Sequence, residues 1–133
     1  MTDESTKKFS DFQYDYDVPN NEYGIVALGG SLNNQNLITA YSNGIFPWYN
    51  QGEDIHWWSP DPRCILIPAN IHKSKRLLRE IRKTAFHVTF NTVFDQVISN
   101  CATPRAGQDG TWINKNMIIA YNNLHDTGWC HSI

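Results

Sequence analysis

Between Ile45 and Pro68 lie four of the chain's six prolines (Pro47, Pro60, Pro62, Pro68) and three of its five tryptophans (Trp48, Trp57, Trp58). A proline lacks the amide hydrogen that a helix interior needs, and the residue before it is pushed towards extended geometry. Regular helix is therefore excluded here. The chain must run as loops and short extended pieces, with WWSPDPR read as a rigid loop. The tryptophans add a second constraint, because each large flat side chain has to be packed or presented. Aromatic residues reach 13% in a chain of otherwise ordinary make-up, 41% hydrophobic and 18% charged. Trp57 and Trp58, neighbours in an extended stretch, face opposite ways, so at least one is expected to pack inward.

Around this run the pattern alternates between short strands and helices. Residues 1–20 mix charge, serine and separated aromatics and read as a loose arm closed by Pro19-Asn20-Asn21. Ile25 to Leu28 reads as a short strand ended by Gly29-Gly30. Ser31 is then placed to cap a helix carrying Leu32, Leu37, Ile38 and Tyr41, and Gly44 to stop it. Beyond the prolines, Ile71 to Thr84 predicts an amphipathic helix. Leu77, Leu78 and Ile81 form its narrow apolar stripe, and Lys73, Lys75, Arg76, Arg79, Arg82 and Lys83 crowd the rest. Phe86 to Phe90 alternates like a strand, and Asn91 is placed to cap a helix with Val93, Phe94, Val97 and Ile98 on one side. After a polar loop from Thr103 to Gly110, Asn114 to His125 predicts a helix with Met117, Ile118, Tyr121 and Leu124 on one face, ended by Gly128. Trp129 to Ile133 reads as the start of a strand with little room to find a partner, so the chain is expected to stop inside a fold.

Length and charge bound the function only loosely. With 133 residues there is room for one domain, or for a small one and part of a second. A boundary is expected near residue 62. The formal charge of -2 and pI near 6.2 give no global attraction to polyanions, so contact with nucleic acid must come from a local cluster. No apolar stretch approaches the ~20 residues of a membrane span. Three cysteines (Cys64, Cys101, Cys130), an odd number without CxxC spacing, follow a polar N-terminus that does not read as a secretory leader. Reduced, buried thiols in a cytoplasm fit that usage. The cysteines and five histidines lack metal-ligand spacing, no P-loop or G-x-G-x-x-G is present, and no Ser-His-Asp or Cys-His order stands out, so no metal or cofactor is expected.

The order GIVALGGSL, LITAYSNGIFPWYNQGEDIHWWSPDPR, the basic helix, GTWINKNMIIAYNNLH and GWCHSI resembles the leucyl/phenylalanyl-tRNA-protein transferase family over nearly the whole chain past the arm. Ser31 departs from the Asp usual in the family after the glycine pair, an equivalent small cap. The resemblance implies an α+β chain: a small N-terminal α/β domain over residues 21–62, then the first helices and strands of an acetyltransferase-like domain over 63–133. It further implies a cytoplasmic aminoacyltransferase of the N-degron pathway. Leu or Phe would move from aminoacyl-tRNA to acceptor proteins with N-terminal Arg or Lys, with no membrane partner and a monomeric chain. The family's later strands, which carry its GESMF-like Glu and its DxQ-like Asp and Gln, have no counterpart here. Catalytic residues are therefore left unassigned, and a truncated form or a non-catalytic binding fragment is expected.

Candidate binding residues follow from chemistry and resemblance together. A single-stranded acceptor end is gripped by aromatic faces stacking on bases. Trp48 and Trp112, each after a constrained loop (Pro47; Gly110-Thr111), correspond to family positions that sandwich the terminal adenine, and Tyr41 and Tyr121 are expected near the same pocket. The alternative for all four is packing. Lys73, Lys75, Arg76, Arg79 and Lys83 form a stripe interrupted in sign only by Glu80, suited to a phosphate backbone. Transfer itself needs an uncharged amine, a proton acceptor and donors for the oxyanion. A cationic acceptor residue would want carboxylates, for which Glu53, Asp54 and Asp61 are available.

Overall fold

The computed structural model describes residues 24–83, 87–107 and 110–133. The predicted arm over 1–20 lies outside them. The chain is α+β: β1 (Ile25–Leu28), α1 (Asn34–Ser42), β2 (Phe46–Pro47), β3 (His56–Trp58), a 3-10 turn (Pro68–Asn70), α2 (Lys75–Lys83), α3 (Phe94–Cys101) and α4 (Lys115–Asp126).

β3 is the centre of an antiparallel sheet ordered β1-β3-β2, pairing Ala27 and Pro47 with Trp57 from its two sides. The tryptophan pair thus forms strand where a rigid loop is expected from WWSPDPR. Three consecutive residues without proline, His56 to Trp58, suffice for a short central strand, and the prolines sit outside it or, at Pro47, at the end of an edge strand. Successive side chains of a strand point to opposite faces. Trp57 is 0% exposed and its Nε1–H donates to the Gly29 carbonyl at 2.9 Å, while Trp58 lies on the other face, half-buried. Gly24, at φ +88°, passes so close to Pro60 that a Cβ there would meet the proline Cα at 2.6 Å.

The core runs from this sheet through α1 to α4: Ala27, Leu37, Ala40, Ile45, Trp57, Ala120 and Leu124 form one buried cluster, with Tyr121 and Cys130 against it. α1 begins at an Asn33 cap, whose Oδ1 accepts from the Asn36 amide at 2.8 Å. The cap is therefore not Ser31. That hydroxyl instead accepts from the Asn33 and Asn36 side chains, and Leu32 stays outside the helix. Gly44, at φ +73°, ends it as expected. α4 starts at its Asn114 cap and buries Met117, Ala120 and Leu124. Asn34 Nδ2 ties the start of α1 to Thr127 at the far end of α4, at 3.1 Å.

Four other expectations are corrected. Residues 87–90 form no strand, and Val88 and Phe90 are exposed, since alternation alone supplies no hydrogen-bonding neighbour. Trp129 to Ile133 is not a strand either. Its Ser132 amide and carbonyl both pair with Asn91, through Asn91 Oδ1 and Asn91 N at 3.0 Å each. Asn91 adopts φ 58° to do so and is no helix cap; α3 starts instead after Val93. Cys64 and Cys101 are exposed rather than buried, and only Cys130 is partly covered.

Candidate functional site: an aromatic cleft

Trp48 and Trp112 line one open cleft of about 900 Å³, together with Asn50, Gln51, Cys101, Thr103, Arg105, Gly110 and Thr111. They reach it from different elements. Trp48 leaves β2 with its amide donating to the His56 carbonyl at 2.9 Å. Trp112 precedes α4 by a short capped turn, in which Thr111 Oγ1 accepts from the Ile113 amide and the Trp112 carbonyl from the Asn114 amide. Both rings remain about half exposed, Trp48 at 50% and Trp112 at 46%. A core aromatic buries its face, and these do not.

Behind Trp48 stands Trp58. Its ring centroid is 5.3 Å away with the planes tilted by 50°, and its Nε1–H donates to the Trp48 carbonyl at 2.7 Å. His56 also packs edge-on against Trp58. The strand alternation that buries Trp57 therefore turns Trp58 into a support for Trp48.

Tyr41 on α1 and Tyr121 on α4 meet as a T-shaped pair with hydrogen-bonded hydroxyls, 6.4 Å between centroids. Burial raises the Tyr121 hydroxyl well above the ordinary phenol range, and the neighbouring Tyr41 raises it further. Burial raises Tyr41 too, partly offset by the hydrogen bond with Tyr121. Burial likewise raises the Cys130 thiol, partly offset by a backbone hydrogen bond with His131. The pair stays neutral at pH 7 and bridges the two helices; neither tyrosine lines the tryptophan cleft.

Residues 65–133 match the family model described as leucyl/phenylalanyl-tRNA protein transferase, and residues 30–61 match that of its N-terminal domain. The chain belongs to the leucyl/phenylalanyl-tRNA protein transferase family. The leucyl/phenylalanyl-tRNA--protein transferase of Lawsonia intracellularis is 52% identical over 111 residues, covering 83% of this chain and 49% of the relative. That of Cellvibrio japonicus is 45% identical over 126 residues, covering 95% and 52%. That of Saccharophagus degradans is 50% identical over 110 residues, covering 83% and 45%. The chain spans about half the length of the curated relatives it matches.

Within this member of the transferase family the basic stripe lies apart from the cleft. α2 opens with Ser74 Oγ accepting from the Leu77 amide at 3.1 Å and touches no other helix or strand of the described residues. Lys75, Arg76, Arg79 and Lys83 are exposed on it, and Lys73 lies outside the helix, which starts two residues later than that position. The narrow apolar stripe of Leu77, Leu78 and Ile81 is exposed as well. Glu53 and Asp54 line a second, smaller hollow with Tyr49 and Asn116, while Asp61 is exposed and outside it. Hydrogen bonds from the Asn50 side chain and amide lower the Glu53 carboxyl. No helix among the described residues is long and apolar enough to cross a membrane.

Two residues of this region escape sequence reasoning. Trp58 reads as a packing residue, although the period-2 rule and a paired strand make it the natural backing for a tryptophan on the adjacent strand. Arg105 sits in a loop without periodicity, and only the fold brings it to the cleft.

Proposed function

We propose that this chain holds the adenine end of an aminoacyl-tRNA between Trp48 and Trp112. The protein it represents would transfer Leu or Phe from that tRNA to acceptor proteins with an N-terminal Arg or Lys, marking them for degradation in the cytoplasm. The observation that carries the reading is that two half-exposed indoles from separate elements line one cleft, among polar groups suited to a base edge. Stacking on a base is worth roughly 1 to 3 kcal/mol per aromatic. An exposed flat ring costs little to dehydrate against another flat ring, so such a site accepts the base without rearranging a core. Tyr41 and Tyr121, the pair that joins α1 to α4, contribute to the same acceptor-end site, and Lys75, Arg76, Arg79 and Lys83 approach the tRNA backbone, with Lys73 at the edge of that stripe.

Among the described residues no carboxylate lines the cleft. A second reading is that these 133 residues, about half the length of the matched relatives, grip acceptor ends without turnover. Two measurements separate the possibilities. The first is adenosine binding by tryptophan quenching, with Trp48→Ala as the comparison; equal affinity in both proteins would remove the platform. The second is leucine transfer from charged tRNA to a peptide beginning with Arg. Transfer supports the enzyme reading for this chain, and binding without transfer supports the second.

A further inference from the structure

We propose that Arg105 forms a phosphate subsite of the aromatic cleft, taking the phosphoryl group on the 5′ side of the nucleoside that stacks on Trp48 and Trp112. This rests on the stacking reading above and adds to it a ligand class, a nucleotide rather than a nucleoside. Arg105 is the one formally charged residue among the described residues that line the cleft; its other polar residues are Asn50, Gln51, Cys101, Thr103, Thr111 and the indoles. The described residues give its guanidinium no carboxylate partner.

The loop that carries Arg105 is anchored. Beyond α3 the Ala102 and Thr103 amides bond back to Ile98 and Asn100, and Thr103 Oγ1 donates to the Ser99 carbonyl at 3.2 Å. Pro104 then fixes the backbone angle of the residue before Arg105. The Arg105 side chain thus leaves from an anchored stretch of backbone after α3, and it lines the same cleft as the two indoles. A planar cation with paired donors matches a phosphoryl group in a bidentate way, which a lysine cannot reproduce. Bases stack by their faces and leave the sugar-phosphate at the edge of the platform, where this side chain sits within the same opening. The volume, about 900 Å³, is ample for a nucleotide.

The cleft is open to water, so the gain is that of a screened pair. A preference of about three- to tenfold for 5′-AMP over adenosine is expected. The test titrates both ligands against the full chain by tryptophan quenching at low salt, in the wild type, Arg105→Gln, Arg105→Lys and Trp48→Ala. Melting curves confirm that each variant is folded. The expected result is a ratio of affinities falling to about one in Arg105→Gln and to an intermediate value in Arg105→Lys, while Trp48→Ala weakens both ligands and retains the ratio. The wild-type preference should also shrink as salt is raised. Equal affinities in the wild type would overturn the subsite, as would a ratio unaltered in Arg105→Gln, and either result leaves the stacking platform standing. If adenosine does not bind the wild type at all, the platform reading fails and the subsite fails with it.

Discussion

The indole Nε1–H of Trp58 donates to the backbone carbonyl of Trp48 across 2.7 Å, and the two rings lie 5.3 Å apart. One tryptophan thereby fixes both the backbone and the ring face of the other. Replacing Trp58 with Phe keeps most of the ring and removes the donor. A hydrogen bond of this kind contributes about 0.5 to 1.5 kcal/mol. Adenosine affinity is expected to fall by roughly two- to tenfold with only a small loss of melting temperature. Unchanged affinity would mean that Trp48 holds its position without Trp58.

Trp57 differs from Trp48 and Trp112 because its burial differs. Trp57→Ala empties the centre of the sheet and should cost about 3 to 5 kcal/mol of stability, read by urea denaturation. Trp48→Ala and Trp112→Ala remove half-exposed rings. They should leave stability within about 1 kcal/mol and lower acceptor-end affinity by roughly 1 to 3 kcal/mol each. A large stability loss on removing Trp48 would make it a packing residue.

α2 presents its cations without packing on any other described helix or strand, so charge changes there leave the contacts between elements intact. Reversing Lys75, Arg76 and Arg79 together should weaken tRNA binding and flatten the plot of log affinity against log salt by about 0.9 for each phosphate no longer neutralised. The measurement is a filter or fluorescence titration at several salt concentrations. A slope equal to that of the wild type would detach α2 from the RNA.

Burial raises the hydroxyls of Tyr121 and Tyr41 in the folded chain, while in the unfolded chain they ionise near pH 10. Above that pH the unfolded state loses protons that the folded state keeps, so stability is present below about pH 10 and declines as pH rises. Tyr121→Phe gives up one hydrogen bond, about 1 kcal/mol at neutral pH, and removes one of these titrations. Its stability should fall less steeply than the wild type's between about pH 10 and 11.5 in urea titrations. Parallel curves would show that the pair does not stay protonated.

Much of the secondary structure was legible because its causes are local. The apolar spacing of Met117, Tyr121 and Leu124 and a following Gly128 specify α4, and Gly44 at positive φ closes α1 as its position suggests. Failures cluster where a local pattern needed a partner. Residues 87–90 alternate like a strand but have none beside them among the described residues, and Asn91 gives up capping to bind Ser132, a residue distant in sequence. The cap of α1 falls to Asn33 in place of Ser31 because a serine hydroxyl and an asparagine amide can exchange roles in one network.

For the aromatic residues the division is sharper. Composition and the placement of prolines determined by themselves that the tryptophan run could not be helix and that large flat side chains would have to be packed or presented, and the ordered motifs determined the family. Which indole would be buried and which presented was decided by the sheet register, since a strand assigns faces only once its neighbours fix which side is inside. The convergence of Trp48, Trp112 and Arg105 belongs wholly to tertiary structure. They come from a strand end, a helix entry and a loop, and no periodicity along a chain encodes the packing of three such elements around one cleft.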